Sequence, residues 1–381
     1  IGQKFLNKGE RKEGIRLIKQ AYHLAVDYNF VHLACELSSI LYYDHIYYNK
    51  NKSKAAFYAQ QVDLYLNDYT AEKKAEHQLF IVISKMNRSA QPHYIATAIE
   101  QLSNYRGRSI KYKIYEATLN VLYGLNVGDY QRVVNSSQMA LTFFEHKSGV
   151  YETHYFSFQF YAGVGQLALS QYSGAFHYFQ QAEQYTLKKS YNAHLLALYQ
   201  TITCLHGGEY SRAYQLYRKN KNCKIEQIKV QFAIIEAYLC FLAYVGLLSF
   251  DKPFRLGKYL NDTFKAQADK QGDNINILIA ELLIYLARDR GKFIDRIEAI
   301  QNYSYRHLKA KATKRAKRFI QILCTLPRVN FNPMALQRKA NRPIRYLKDH
   351  PIFMGDHVMI EIIPFESLLD MLIQYLKRKA A

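Results

Sequence analysis

Tryptophan is absent from this 381-residue chain, cysteine occurs 5 times and proline 7 times. The cysteines, Cys35, Cys204, Cys223, Cys240 and Cys324, have no paired spacing, which excludes a disulfide framework and fits a reducing compartment. Only Pro92 and Pro253 precede Pro327, so long stretches lack the residue that most reliably ends a helix. A phosphate-cradling glycine loop is missing too: Gly163-Val164-Gly165 is followed by neither a third glycine nor a lysine, and packing of small residues accounts for it. There is no HExxH and no nucleophile elbow. His32 and Cys35 lie one helical turn apart but have no second pair of ligands, and Cys204 and His206 point apart on a helix. No enzymatic activity, metal or cofactor is expected.

What the chain does contain is apolar mass with helical periodicity. A hydrophobic content of 49% excludes a disordered chain, and the length suffices for a large core or for a long continuous one in a solenoid. The 34 tyrosines suit grooves between helices, with the ring packed and the hydroxyl reaching water. Apolar residues recurring at three and four positions predict helices over Lys12–Val26, Val31–Tyr48, Ser53–Tyr69, Ala71–Met86, one opened by Pro92, Ser109–Leu125, Tyr130–Phe144, Tyr151–Leu169, Tyr172–Leu187, Asn192–Leu205, Tyr210–Lys219, Asp273–Ala287 and Gly291–Tyr303. Phe232–Phe250 is apolar over about a bilayer's thickness. Glu236 inside it, with Tyr238, Tyr244 and Gly246, suits a buried helix, so no membrane span is expected and the cytoplasm is the expected location. The chain opens on Ile1-Gly2 within a predicted helix, and an upstream segment is expected before it.

A short motif recurs. Gly208-Glu209-Tyr210 precedes Ala213 and Tyr217; Gly128-Asp129-Tyr130 precedes Val133 and Ala140; Ser170-Gln171-Tyr172 precedes Ala175, Phe179 and Ala182; Gly9-Glu10-Arg11 precedes Gly14, Ile18 and Ala21. The first residue permits a left-handed turn, and the small one lets two helices approach closely. The small positions Gly14, Ala55, Ala98, Val133, Ala175 and Ala213 follow one another at intervals of 35 to 43 residues. In this the chain resembles the tetratricopeptide repeat family, whose unit is about 34 residues. Val121 and Thr201 stand where that family places a small residue, Ser137 where it places a large one, and its closing proline is absent. The resemblance implies an all-α fold: a TPR-like α-solenoid of stacked antiparallel helix pairs over residues 1–303, followed by a basic C-terminal helical element over 304–381. Some family members grip a C-terminal carboxylate with lysine and asparagine on successive turns. The corresponding pairs here, Thr118 with Leu122, Phe160 with Val164 and Leu198 with Ile202, lack both residues, so a chaperone-tail adaptor is not expected.

The C-terminal element differs in composition. It holds Pro327, Pro333, Pro343, Pro351 and Pro364, which are expected to break up its helices. His357–Ile363 is β-branched enough to predict a short strand, and Pro364 is placed to open a final helix over Phe365–Leu376. From Arg306 to Lys348 there are 13 cations and no Asp or Glu, against a formal net charge of +21 for the whole chain. Wound as one helix, Arg306, Lys311, Lys314, Arg315, Lys317 and Arg318 share one half of the surface, and Leu308, Ala312, Ala316, Phe319, Ile320 and Leu323 the other. Lys309, Arg338, Lys339, Arg342 and Arg345 complete the candidate polyanion-binding set. A solvated charged face is the alternative, although such faces normally mix signs.

Two function classes follow. One is a scaffold that holds a protein or peptide partner on the solenoid surface, through apolar or aromatic anchors. The other is a nucleic-acid-associated protein whose cationic C-terminal region contacts phosphates.

Overall fold

The hairpin turns are built as the motif requires. In a computed structural model describing residues 1–86, 92–143, 150–250, 254–265, 273–308, 313–350, 352 and 361–380, Gly9, Gly128, Ser170 and Gly208 all have left-handed backbones, with φ of 85°, 84°, 60° and 77°. The following residue reaches back five positions: the amides of Glu10, Asp129, Gln171 and Glu209 donate to the carbonyls of Phe5, Gly124, Gln166 and Cys204 at 2.8–2.9 Å. This bond closes the end of the first helix and satisfies a carbonyl that would otherwise lack a partner. The same four residues then start the next helix, their carbonyls accepting from the amides of Gly14, Val133, Ala175 and Ala213. One residue thus ends one helix and begins the next. The small residue necessarily lies four positions later, one turn into the second helix on the side facing the first, and all four are buried. A fifth copy escaped the sequence reading because it uses asparagine: Asn29 has φ 58°, Phe30 N–H donates to Ala25 C=O at 2.7 Å, and Ala34 is the buried small residue.

The described residues are helical throughout, with no strand. They form two compact units, 1–158 and 159–381. The first contains α1 (Gly2–Asn7), α2 (Arg11–Asp27), α3 (Val31–Tyr47), α4 (Lys52–Met86), α5 (Pro92–Leu102), α6 (Ile110–Val127) and α7 (Tyr130–Thr142), each packed against its sequence neighbour. α8 (Glu152–Ala168) runs across the boundary. Two helices were expected where α4 stands. They are one, because no Gly or Pro interrupts Lys52–Met86 and Thr70, at the expected break, donates its hydroxyl to Leu66 C=O at 2.8 Å within the helix. Ala71, Ala75 and Leu79 of α4 meet Ile95 and Ala98 of α5 and Tyr112 and Leu119 of α6 in the core. Along an adjoining stripe, Asp68 accepts from the Arg108 amide at 3.0 Å, Glu72 from the Ser109 hydroxyl at 3.1 Å and Glu76 from the Tyr115 hydroxyl at 3.0 Å. These bonds fix the chain entering α6 to the middle of α4.

The second unit contains α9 (Tyr172–Glu183), α10 (Tyr191–His206), α11 (Tyr210–Asn220), α12 (Glu226–Tyr244), α13 (Leu256–Lys265), α14 (Asp273–Arg288), α15 (Arg290–His307), α16 (Lys314–Thr325), α17 (Pro333–Lys339), α18 (Asn341–Asp349) and α19 (Phe365–Ala380). α12 is, among the described residues, the one helix long and apolar enough to cross a membrane. Its Ile234, Ile235, Ala237, Tyr238, Leu239, Cys240, Phe241 and Leu242 are all buried, covering every side of the helix as in a central core helix. α19 folds back on earlier helices: Tyr375 donates its hydroxyl to Ala287 C=O at 2.8 Å, and Arg378 donates to Val245 C=O at 2.7 Å. Residues 304–381 therefore group with the helices before them.

Two local expectations for this region are corrected. Of the strand predicted over 357–363, residues 357–360 lie outside the described residues, and Ile362 and Ile363 form a bend whose side chains are buried. Their β-branched bulk plugs the core ahead of α19. The prolines start helices more than they break them: Pro333 follows the Asn332 cap, whose side chain accepts from Ala335 N–H at 2.9 Å, Pro343 lies in the first turn of α18, and Pro364 immediately precedes α19.

Candidate polyanion-binding surface

The single cationic helix expected from Arg306 to Leu323 is two helices. α15 ends at His307 and α16 begins at Lys314, while Lys309 and Lys311 lie outside the described residues. The face is instead assembled from three helices, joined by aromatic contacts. Lys317 of α16 stands over the Tyr305 ring of α15, Nζ 5.6 Å from its centroid. Arg318 stands over the Tyr346 ring of α18 at 5.3 Å, and Tyr346 stacks on His350 with centroids 3.8 Å apart and 15° between planes. Lys314 lies one turn before Arg318, and Arg342 and Arg345 lie beside Tyr346 on α18. Arg306, Lys314, Arg318, Arg338, Lys339, Arg342 and Arg345 are exposed and Lys317 is half-buried. None of these eight is ion-paired among the described residues.

Arg315 leaves the candidate set. Its side chain is 6% exposed and occupied by internal partners. It binds Glu361 through Nε at 2.6 Å and through a second nitrogen at 3.1 Å, Glu366 at 2.5 Å, the Leu347 carbonyl at 2.7 Å and the His350 carbonyl. The helical wheel put it among the exposed cations because the wheel cannot see what packs on α16. Burial works against the Arg315 charge, and the two carboxylates outweigh it, so its pKa sits above the ordinary value. Burial pushes the Glu361 carboxyl up, opposed by Arg315 and by the Phe365 amide that it caps at 3.0 Å. The Glu361 carbonyl accepts from His206 Nε2 at 2.5 Å, tying this hub to the end of α10. Burial holds the His206 imidazole at a pKa of about 4, with Arg315 adding to the effect.

Sequence reasoning missed Tyr305, Tyr346 and His350, since it counted charges alone. The detectable signal was the interleaving of aromatic rings with cations in a stretch free of acids. Of the cysteine–histidine pairs, Cys35 donates weakly to Val62 C=O and His206 is taken by Glu361. No group of three or more metal-binding side chains forms among the described residues.

A second exposed surface lies in the first unit. Tyr42, Tyr43, Ile46, Tyr47, Tyr48 and Phe57 are all exposed, Tyr47 at 62%, around the end of α3 and the start of α4. Tyr43 packs on Tyr47 with centroids 4.4 Å apart, and the Arg11 guanidinium sits 3.9 Å from the Tyr48 centroid. Arg11 is itself anchored on buried Asp44 through Nε at 2.9 Å. Lys50, Lys52 and Lys54 flank the rings, and no acid occurs between Asp44 and Asp63. Tyr43 also meets Tyr48, with centroids 6.3 Å apart, and exposed rings gathered in this way commonly mark an interaction surface.

No family model, no curated protein and no solved structure matches the chain.

Proposed function

We propose that this protein is a non-enzymatic interaction scaffold, a TPR-like α-solenoid that holds a protein or peptide partner in the cytoplasm. The observation carrying the reading is the exposed aromatic cluster of Tyr43, Tyr47 and Tyr48, held on its helical frame by Arg11 and Asp44. The recurring turn with its buried small residue supports the repeat architecture. Aromatic anchors of this kind carry much of the energy of protein interfaces. The test is affinity capture with the intact protein, with and without nuclease. A partner retained at fixed stoichiometry after nuclease treatment, and lost from a Tyr43→Ser/Tyr47→Ser variant, is expected. Capture unchanged in that variant would remove the aromatic cluster from the account.

The second reading is contact with phosphates through the C-terminal cations. It is favoured by one observation: cations of α16 reach aromatic rings of α15 and α18, and none of the exposed cations there has an ion-paired carboxylate among the described residues. The affinity of such a surface for polyanions falls steeply with salt.

A further inference from the structure

We propose that the surface joining α15, α16 and α18 binds single-stranded nucleic acid, with bases stacking on Tyr305 and His350 and phosphates held by Lys317, Arg318, Arg342 and Arg345. The inference rests on the polyanion reading and narrows it to a ligand class. Tyr305 is 75% exposed, far more than an aromatic ring with a packing role requires. Lys317 approaches it from α16 and Arg306 is its chain neighbour. At the other end of the surface, His350 is exposed on top of Tyr346, and Arg318 meets the same Tyr346 ring. The His350 ring is held in place, with Nδ1 donating to the Tyr346 carbonyl at 3.0 Å. Each exposed ring thus has a cation of α16 close by: Lys317 over Tyr305, and Arg318 over the Tyr346 ring on which His350 stacks.

This arrangement suits a single strand better than a duplex. Unpaired bases of any sequence have free faces that stack on rings, while cations beside the rings hold the backbone. In a duplex the bases are stacked on each other and have no face to give to Tyr305 or His350. An acidic protein would use the cations but has no need of exposed flat rings at both ends. Sequence preference is expected to be weak, since stacking reads no base edge.

The test is fluorescence anisotropy with the full chain and an oligonucleotide of about 12 nucleotides, compared with a duplex and with an abasic strand of equal length. Tight binding of the single strand is expected, with the logarithm of affinity falling against the logarithm of salt at a slope of about −3 for four phosphates. Tyr305→Ser and His350→Ser are each expected to weaken binding roughly 5- to 150-fold at an unchanged salt slope. Lys317→Gln and Arg318→Gln are expected to flatten the slope by about 0.7 each. Both ring positions are exposed, and His350→Ser keeps the backbone carbonyl that meets Arg315 while losing the contacts of its ring with Tyr346, so thermal melting is run on each variant and is expected to show both folded. If the duplex or the abasic strand binds as tightly and the ring variants bind normally, the stacking inference is overturned while phosphate contact stands. If no nucleic acid binds at low salt, both fail, and an acidic protein becomes the ligand to seek.

Discussion

The hairpins and the C-terminal hub solve one problem, closing helix ends, in opposite ways. At Gly9, Asn29, Gly128, Ser170 and Gly208 the closing bonds run between backbone groups five residues apart. At Arg315 one buried guanidinium gathers the Leu347 and His350 carbonyls at the end of α18 and the Glu361 carboxylate that caps α19, together with Glu366 in its first turn. The local device is written in a few adjacent residues and tolerates variation, since serine or asparagine can replace glycine. Arg315 alone joins residues up to 51 positions away and has no interchangeable part. Damage to it should therefore cost more.

The largest effect is expected from Arg315→Met, which leaves Glu361 buried without its cation. A loss of about 3–5 kcal/mol is expected in chemical denaturation. Arg315→Met combined with Glu361→Met should recover much of it, because a buried pair replaced by apolar groups is often close to neutral. A single variant as stable as wild type would show that the hub contributes nothing to closure.

Acid probes the same hub through His206. Its pKa near 4 in the folded state lies below the ordinary value near 6.5, so the unfolded chain takes up a proton that the folded chain refuses. Stability from this group is present above about pH 6.5 and lost as pH falls toward 4, by on the order of 3 kcal/mol. Glu361, raised by burial, acts in the opposite sense, so the measurement is a difference between wild type and His206→Gln across that range. Parallel stability curves for the two proteins would contradict the assignment.

Overpacking a hairpin ranks next. Ala175→Leu and Ala213→Leu each place a larger side chain where none of the residue is exposed, at an expected cost of about 1–3 kcal/mol in thermal melting. The smallest effect has the opposite sign. Ser170→Gly relieves a left-handed serine and should stabilise by about 1 kcal/mol. A destabilised glycine variant would mean that Ser170 does more than turn the chain.

How far these features could be read in advance follows from the same contrast. Gly208-Glu209-Tyr210 and its relatives announce their turns because the geometry is local, and the helix starts at Tyr130, Tyr172 and Tyr210 follow from the motif, while the helix expected from Lys12 starts one residue earlier, at Arg11. The copy at Asn29-Phe30 was missed because the pattern read only glycine or serine at the turn and did not admit asparagine. The unbroken α4 was misread because the recurring register suggested a break near Thr70 that no Gly or Pro enforces. At the candidate surface the charges were legible and their grouping was not. Arg315 and Arg318 look alike in sequence, and only the return of Glu361 and Glu366 onto α16 separates the buried arginine from the exposed one.

The measurement that most directly tests the scaffold reading is chemical cross-linking of the captured complex through lysine, with mass spectrometry, because lysines border both candidate surfaces. Lys50, Lys52 and Lys54 lie close in sequence to the aromatic cluster, while Lys314 and Lys317 lie at the cationic one. The scaffold reading predicts nuclease-resistant cross-links between a partner protein and the first set, lost in Tyr43→Ser/Tyr47→Ser. Cross-links confined to the second set and abolished by nuclease would contradict it and leave a nucleic-acid-associated protein in its place.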